Sequence, residues 1–94
     1  MRVVVTGGGA VGRHLAQDLS GRGHDVTLVE QNRELADKLA HWAPDTRVVY
    51  GDACEPRVLD KADMRSADVV VAATGDDEDN LVTSLLAKQE FGVP

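Results

Sequence analysis

Ninety-four residues with a formal net charge of −6 and 43% hydrophobic side chains make one domain, large enough to bury about 60–70% of its unfolded surface. The acidic balance, the scattered basic residues and the only three aromatic residues, Trp42, Tyr50 and Phe91, argue against nucleic acid or an anionic membrane surface as a partner, because neither a basic patch nor a stacking platform can be built from them. No apolar stretch approaches the ~20 residues of a membrane span or reads as a secretory leader, and the single Cys54 excludes an internal disulfide framework and suits a reducing cytosol.

The first predicted element is a strand from about Arg2 to Thr6, whose β-branched run Val3-Val4-Val5-Thr6 reads as buried. Gly7, Gly9 and Gly12 follow at the spacing G-x-G-x-x-G, and an apolar-periodic helix from about Ala10 to Arg22 starts at once. In such a turn Gly7 lets the chain leave the strand sharply, Gly9 lets a pyrophosphate approach the backbone, and Gly12 lets the helix pack closely on the sheet. The helix N-terminus, at Ala10 and Val11, directs free N–H groups and a partial charge of about +0.5 at the phosphates. By itself the glycine pattern also fits a strand-to-helix turn that holds no ligand. Val11, Leu15 and Leu19 are expected to form the buried stripe of this helix, with Arg13, Gln17 and Asp18 in water. Gly23, just past Arg22, sits where a left-handed C-cap is wanted. A second strand, Asp25 to Glu30, ends in an acid about 18 residues past Gly12, near the roughly 20 expected of the residue that holds a ribose diol. Strand, glycine turn, helix, strand and terminal acid in this order predict a nucleotide-binding βαβ unit.

Asn32 is the expected N-cap of a second helix, with Glu34 in its first turn. Leu35, Ala36, Leu39, Ala40 and Trp42 are expected on its buried side and Pro44 at its end. A short third strand, Arg47 to Tyr50, runs into Gly51-Asp52-Ala53. A short helix is expected from Pro56, a favoured first-turn residue, to about Ala62. The fourth strand, Asp68 to Thr74, is apolar between its first and last residues, the pattern of a central strand covered on both faces. Gly75 then turns the chain into Asp76-Asp77-Glu78-Asp79-Asn80 and a last helix through Leu81, Val82, Leu85, Leu86 and Phe91. Val93-Pro94 stand where a fifth strand is expected, so the domain is expected to continue. Regular β/α alternation without a hairpin signal implies an α/β fold with a Rossmann-type doubly wound parallel sheet. Right-handed crossovers set its strand order as 3-2-1-4, truncated before the fifth strand, in one domain over residues 1–94.

The strand ends carry the chemistry. Glu30 is placed to accept hydrogen bonds from the 2′ and 3′ hydroxyls of a ribose and to repel a 2′-phosphate, which favours NAD(H), ATP or ADP over NADP; the bland alternative is a solvated strand-end acid. Gln31 and Arg33 extend this end of the candidate site, and Arg33 is the residue placed to blunt the repulsion. Asp52 and Ala53 are small enough for an adenine ring to lie against their backbone. Asp52 offers an acceptor or a helix cap, or is only a turn residue. Thr74 and Gly75 end the fourth strand across the switch point between strands one and four, where ligands of this fold sit. The acidic run Asp76 to Asp79 reads first as helix capping, which the dipole favours by about 0.3–1 kcal/mol per acid, and second as a cation site. His14, His24 and His41 lie on separate segments without ligand spacing, and Cys54 has no general base nearby in sequence. No catalytic residue and no metal ligand is therefore expected. There is no P-loop motif, and Tyr50 is followed four residues later by Cys54, not by the lysine of a short-chain dehydrogenase.

These features resemble one family along essentially the whole chain. Val5-Thr6-Gly7-Gly8-Gly9-Ala10-Val11-Gly12-Arg13, Gly23-His24-Asp25-Val26-Thr27-Leu28-Val29-Glu30, Gly51-Asp52-Ala53-Cys54 and Ala72-Ala73-Thr74-Gly75-Asp76-Asp77-Glu78-Asp79-Asn80-Leu81 are similar to the N-terminal (TrkA-N) lobe of the TrkA-type, RCK (regulator of potassium conductance) family of bacterial potassium-uptake subunits. The closing stretch from Ser84 to Pro94 is similar as well. The resemblance implies a cytoplasmic protein, peripheral to the inner face of the cell membrane. It implies that the protein binds NAD(H) or ATP/ADP and gates a membrane potassium-translocating subunit as a homo-oligomer, a dimer or larger. Many members carry Arg or Gln where this chain has Ala10; without an arginine there to reach terminal phosphates, NAD(H) is favoured over ATP. The alternative is the cofactor-binding half of an NAD-dependent dehydrogenase. The last helix adds an expectation of its own: Leu81, Val82, Leu85 and Leu86 span a wider arc than one buried stripe requires. The surplus is expected to face a second copy of the domain, or in part a fifth strand.

Overall fold

The computed structural model describes residues 1–43 and 45–94, with the side chain of Asp77 outside the description. Its elements are β1 (Arg2–Thr6), α1 (Ala10–Gly21), β2 (Asp25–Glu30), α2 (Arg33–Trp42), β3 (Arg47–Tyr50), α3 (Pro56–Lys61), a 3₁₀ turn (Met64–Ser66), β4 (Val69–Ala72) and α4 (Asp77–Gln89). The four strands form one parallel sheet in the order β3-β2-β1-β4, the doubly wound arrangement that β/α alternation and right-handed crossovers require. None of the described helices is long and apolar enough to cross a membrane.

The period-two alternation of β1 divides the interior into two layers. Val3 and Val5 join Val26 and Leu28 beneath Ala16 of α1 and Leu39 of α2. Val4 faces the opposite way, into a cluster with Val29, Val58, Leu59, Met64, Ala87 and Phe91. Each fully buried Val or Leu contributes about 1.5–3 kcal/mol of transfer free energy, so these two layers hold the helices to the sheet.

Helix ends follow the local signals. Asn32 caps α2 by accepting from the Leu35 N–H at 3.0 Å, and Asp76 caps α4 by accepting from the Asp79 N–H at 3.0 Å, as the capping explanation of the acidic run requires. At the end of α1, Gly23 takes φ +88° while the His24 N–H reaches back to the Leu19 carbonyl at 3.1 Å, a left-handed C-cap. The stop expected at Pro44 lies outside the described residues.

Four expectations about burial are corrected. Val11 is 72% exposed, and the residues of α1 that meet the sheet are Gly12 and Ala16, with Leu15 and Leu19 half-buried. The stripe is shifted by one position because the N-terminal turn of α1 approaches the glycine loop too closely for any side chain. Arg13 does not simply face water: its guanidinium lies 4.9 Å from the centre of the Trp42 ring. That pairing keeps Trp42 on the surface, 55% exposed, and Ala40 is exposed too; α2 buries Ala36 and Leu39 instead. Finally, β4 ends the sheet among the described strands and is only half-buried, although Val70 packs against one layer and Val71 against the other. The 3₁₀ turn before it went unanticipated. It buries Met64 completely behind Asp63, a non-glycine residue at φ +58°.

Two buried hydroxyls, on Thr6 and Thr27, lack a hydrogen-bond partner among the described residues. Thr27 is 1% exposed and points into an apolar layer, where an unpaired polar group costs about 1–3 kcal/mol. Thr27→Val, nearly isosteric, is expected to raise the free energy of unfolding in urea by about 1 kcal/mol. A decrease would show that the hydroxyl bonds a buried water.

Candidate nucleotide-binding cleft

A cleft of about 250 Å³ opens at the carboxyl ends of the strands, lined by the glycine loop, the end of β2, the loop after β3, the turn after β4 and the inner side of α4. It is built first by glycines. Gly7 leaves β1 at φ +102°, and a Cβ on it would lie 2.7 Å from the Ala73 carbonyl oxygen. A Cβ on Gly12 would lie 1.8 Å from the Gly7 carbonyl oxygen, a distance no side chain survives. At Gly9 the situation is reversed: a Cβ there would meet nothing within 4 Å. The backbone at Gly9 is therefore open to the cleft. It also forms the N-cap of α1, which receives no side-chain cap and has no acid in its first turn. The first N–H groups of a helix have no intrahelical acceptor. Here they keep their donors and partial positive charge for an anion.

Glu30 is not a solvated acid. It is 7% exposed, and its carboxylate is gripped from two sides: the Gly8 N–H donates to Oε1 at 2.7 Å and the Asn32 N–H donates to Oε2 at 2.6 Å. Hydrogen bonds to a charged acceptor contribute about 1.5–3 kcal/mol each, which offsets the cost of burying the charge. The acid thus fastens the glycine loop to the end of β2, a role that its place in the sequence did not reveal. Each oxygen still has a lone pair for a further donor, such as a ribose hydroxyl.

The remaining candidates divide into those the fold brings together and those it does not. Gly7, Gly9, Glu30, Gln31, Asp52, Ala53, Thr74 and Gly75 all line the cleft. Ala10 and Val11 instead line a shallow groove on the outer side of α1, and neither is part of the cleft lining. Gly12 acts from beneath by letting α1 approach. Arg33 is outside the lining, exposed, with its guanidinium 5.9 Å from the centre of the Tyr50 ring. Asp52 is a turn residue, its Oδ1 accepting from the Cys54 N–H at 2.9 Å. It does not cap α3, whose N-cap is Glu55.

Seven lining residues are not among the candidates: Val29, Leu35, Gly51 and Ala73 have apolar or no side chains, and three carry polar ones. Asp79 and Thr83 lie one helical turn apart on the inner side of α4; their spacing put them on one face, but nothing in the sequence said which way that face turns. Cys54 is the third. Burial, and then the nearby carboxylates of Asp79 and Asp52, push its thiol up to about 11, so it stays protonated at neutral pH and is a poor nucleophile.

Comparison with known proteins places this geometry. Residues 3–94 match the TrkA-N domain. The chain is 50% identical over 94 residues to the Trk system potassium uptake protein TrkA of Mycobacterium tuberculosis, covering 100% of this chain and 42% of that protein. It therefore spans less than half the length of that relative. Among solved structures, the TrkA-N domain of the Escherichia coli inner membrane protein ybaL superposes with a TM-score of 0.84 at 20% identity, over 93% of this chain and 63% of the other. The Shewanella denitrificans Kef CTD, in an AMP-bound form, superposes with a TM-score of 0.79 at 23% identity, over 99% of this chain and 55% of the other. At those identities the superpositions establish the fold, and the sequence match extends it to the family: the chain belongs to the TrkA-N domain family.

Proposed function

We propose that this chain is the nucleotide-sensing lobe of a potassium-uptake regulator. It binds NAD(H) in the cleft, with ATP or ADP as the second choice. The observation that carries the proposal is the juxtaposition of an uncapped α1 N-terminus at the open Gly9 with the buried carboxylate of Glu30. A dinucleotide presents a pyrophosphate to the first and a ribose diol to the second. Asp52 and Ala53 would then flank the adenine, and Thr74 and Gly75 the far ribose. Ala10 supplies no cation for a terminal phosphate, which is why NAD(H) ranks above ATP.

The TrkA relative is named for potassium uptake, and this supports a partner that translocates potassium across the membrane. On this proposal the regulator is cytoplasmic, sits at the inner face of the membrane, and works as a homo-oligomer. On this reading it is a binding module rather than the cofactor half of a dehydrogenase, which the potassium-uptake name of the 50% identical relative supports.

Thermal or chemical unfolding with nucleotide tests the assignment. A ligand at a hundred times its Kd adds about 2.7 kcal/mol, and NADH is expected to raise the Tm more than ATP or ADP, and NADP least. Equal stabilisation by NADP would remove Glu30 from the ribose site. No stabilisation by any of the four would end the proposal.

A further inference from the structure

Among the described elements, α4 is the helix tied by side chains to two loops of the cleft at once. Its Asn80 amide pairs with the backbone of Thr74 in both directions: Oδ1 accepts from the Thr74 N–H at 3.0 Å and also from the Thr74 hydroxyl, while Nδ2 donates to the Thr74 carbonyl at 3.1 Å. One turn on, the buried Thr83 hydroxyl donates to the Ala53 carbonyl at 3.2 Å. The outer side of the same helix leaves Leu81, Val82 and Leu85 exposed.

Such a two-way contact is stiffer than a single hydrogen bond: one arm holds the peptide unit before Thr74 and the other the unit after it, so neither can rotate without losing a bond to Asn80. Thr74 and Gly75 line the cleft, so a group that binds there bears on the backbone that Asn80 holds. We propose that Asn80 is a positioning residue that couples occupancy of the cleft to the setting of α4, and so to the apolar face α4 presents. The inference rests on the nucleotide proposal above and assigns the route by which that site is read. Coupling of this kind requires a ligand that favours one setting of the helix over another.

Hydrogen exchange resolved by segment, with and without saturating NADH or ATP, tests it on the 94-residue chain. In the wild type, nucleotide is expected to slow exchange about tenfold both in the glycine loop and along residues 77–89. In Asn80→Ala the loop is expected to remain protected by nucleotide while the added protection of residues 77–89 disappears. Asn80→Asp has nearly the same shape but sets an acceptor against the Thr74 carbonyl. It serves if the alanine variant does not fold, with the same loss expected. Ser84→Ala, which removes only an exposed bond to the Asn80 carbonyl, should behave as wild type. A purely structural Asn80 would raise the basal exchange of α4 yet leave the ligand-dependent protection intact, and that result overturns the inference. Loop protection without any change in α4 of the wild type also overturns it alone. No protection of the loop by either nucleotide overturns the nucleotide proposal and the inference with it.

Discussion

Gly12→Ala is expected to destabilise the domain by about 3 kcal/mol or more, a large share of the roughly 5–14 kcal/mol typical of a chain this size. Helix propensity argues the other way, since alanine in place of glycine inside a helix is worth about 0.8–1.0 kcal/mol. Sterics decide. The added Cβ would stand 1.8 Å from the Gly7 carbonyl oxygen, and that atom belongs to backbone held at one end by the Gly7 N–H bond to Val29 (2.7 Å) and at the other by the Gly8 bond to Glu30. Neither can yield without opening the β1–β2 junction, so α1 must lift off the sheet and uncover Val5, Leu28 and Ala16. Gly12→Val should be worse still. A lowered urea midpoint, or expression only as unfolded chain, is the expected observation. A midpoint at the wild-type value would mean that α1 does not approach the loop this closely in solution.

Gly9→Val is expected to do the opposite: fold normally and lose nucleotide. The backbone at Gly9 is at φ −69° and ψ −170°, a conformation open to any L-residue, and the space beyond a Cβ there is empty to 4 Å. Stability should fall by no more than about 1 kcal/mol, the usual difference between glycine and a poor N-cap residue. The branched side chain would instead fill the place proposed for the pyrophosphate and crowd the free N–H groups of α1. A loss of binding of at least a hundredfold, about 2.7 kcal/mol, is expected by titration calorimetry with NADH. Retained binding at wild-type affinity would show that the phosphates do not lie over this loop. The two glycines, three residues apart in one motif, thus separate stability from binding in a single pair of measurements.

The elements whose signals are local were legible. Val3-Val4-Val5 could only be a buried strand. The G-x-G-x-x-G spacing needed a strand before it and a helix after it to mean anything, and both are there. Asn32 and Asp76 declared themselves as caps because an N-cap bonds its own next turn. Where the residue pattern is weaker, more than one arrangement fits it. Val11-Leu15-Leu19 and Gly12-Ala16-Leu19 are equally good helical stripes by period. The apolar one was the natural choice, and close approach to Gly7 selected the small one. Trp42 counted as core by hydropathy, yet an arginine on the neighbouring helix gives its ring a partner at the surface.

The sequence by itself determined the order of elements, the parallel sheet, the glycine loop and the acid at the end of β2, because each rests on contacts within a few residues or on the narrow set of crossovers open to a β/α chain. Only the tertiary structure decided what those parts do to one another. Glu30 grips Gly8 across 22 residues of chain, and Thr83 reaches Ala53 across 30. Cys54 and Asp79 come to share one cleft wall. The physical reason is the same in each case. A hydrogen bond or a steric contact acts over an ångström or less of tolerance, whereas periodicity and composition specify which face a residue occupies but not how closely, or at what rotation, two faces meet.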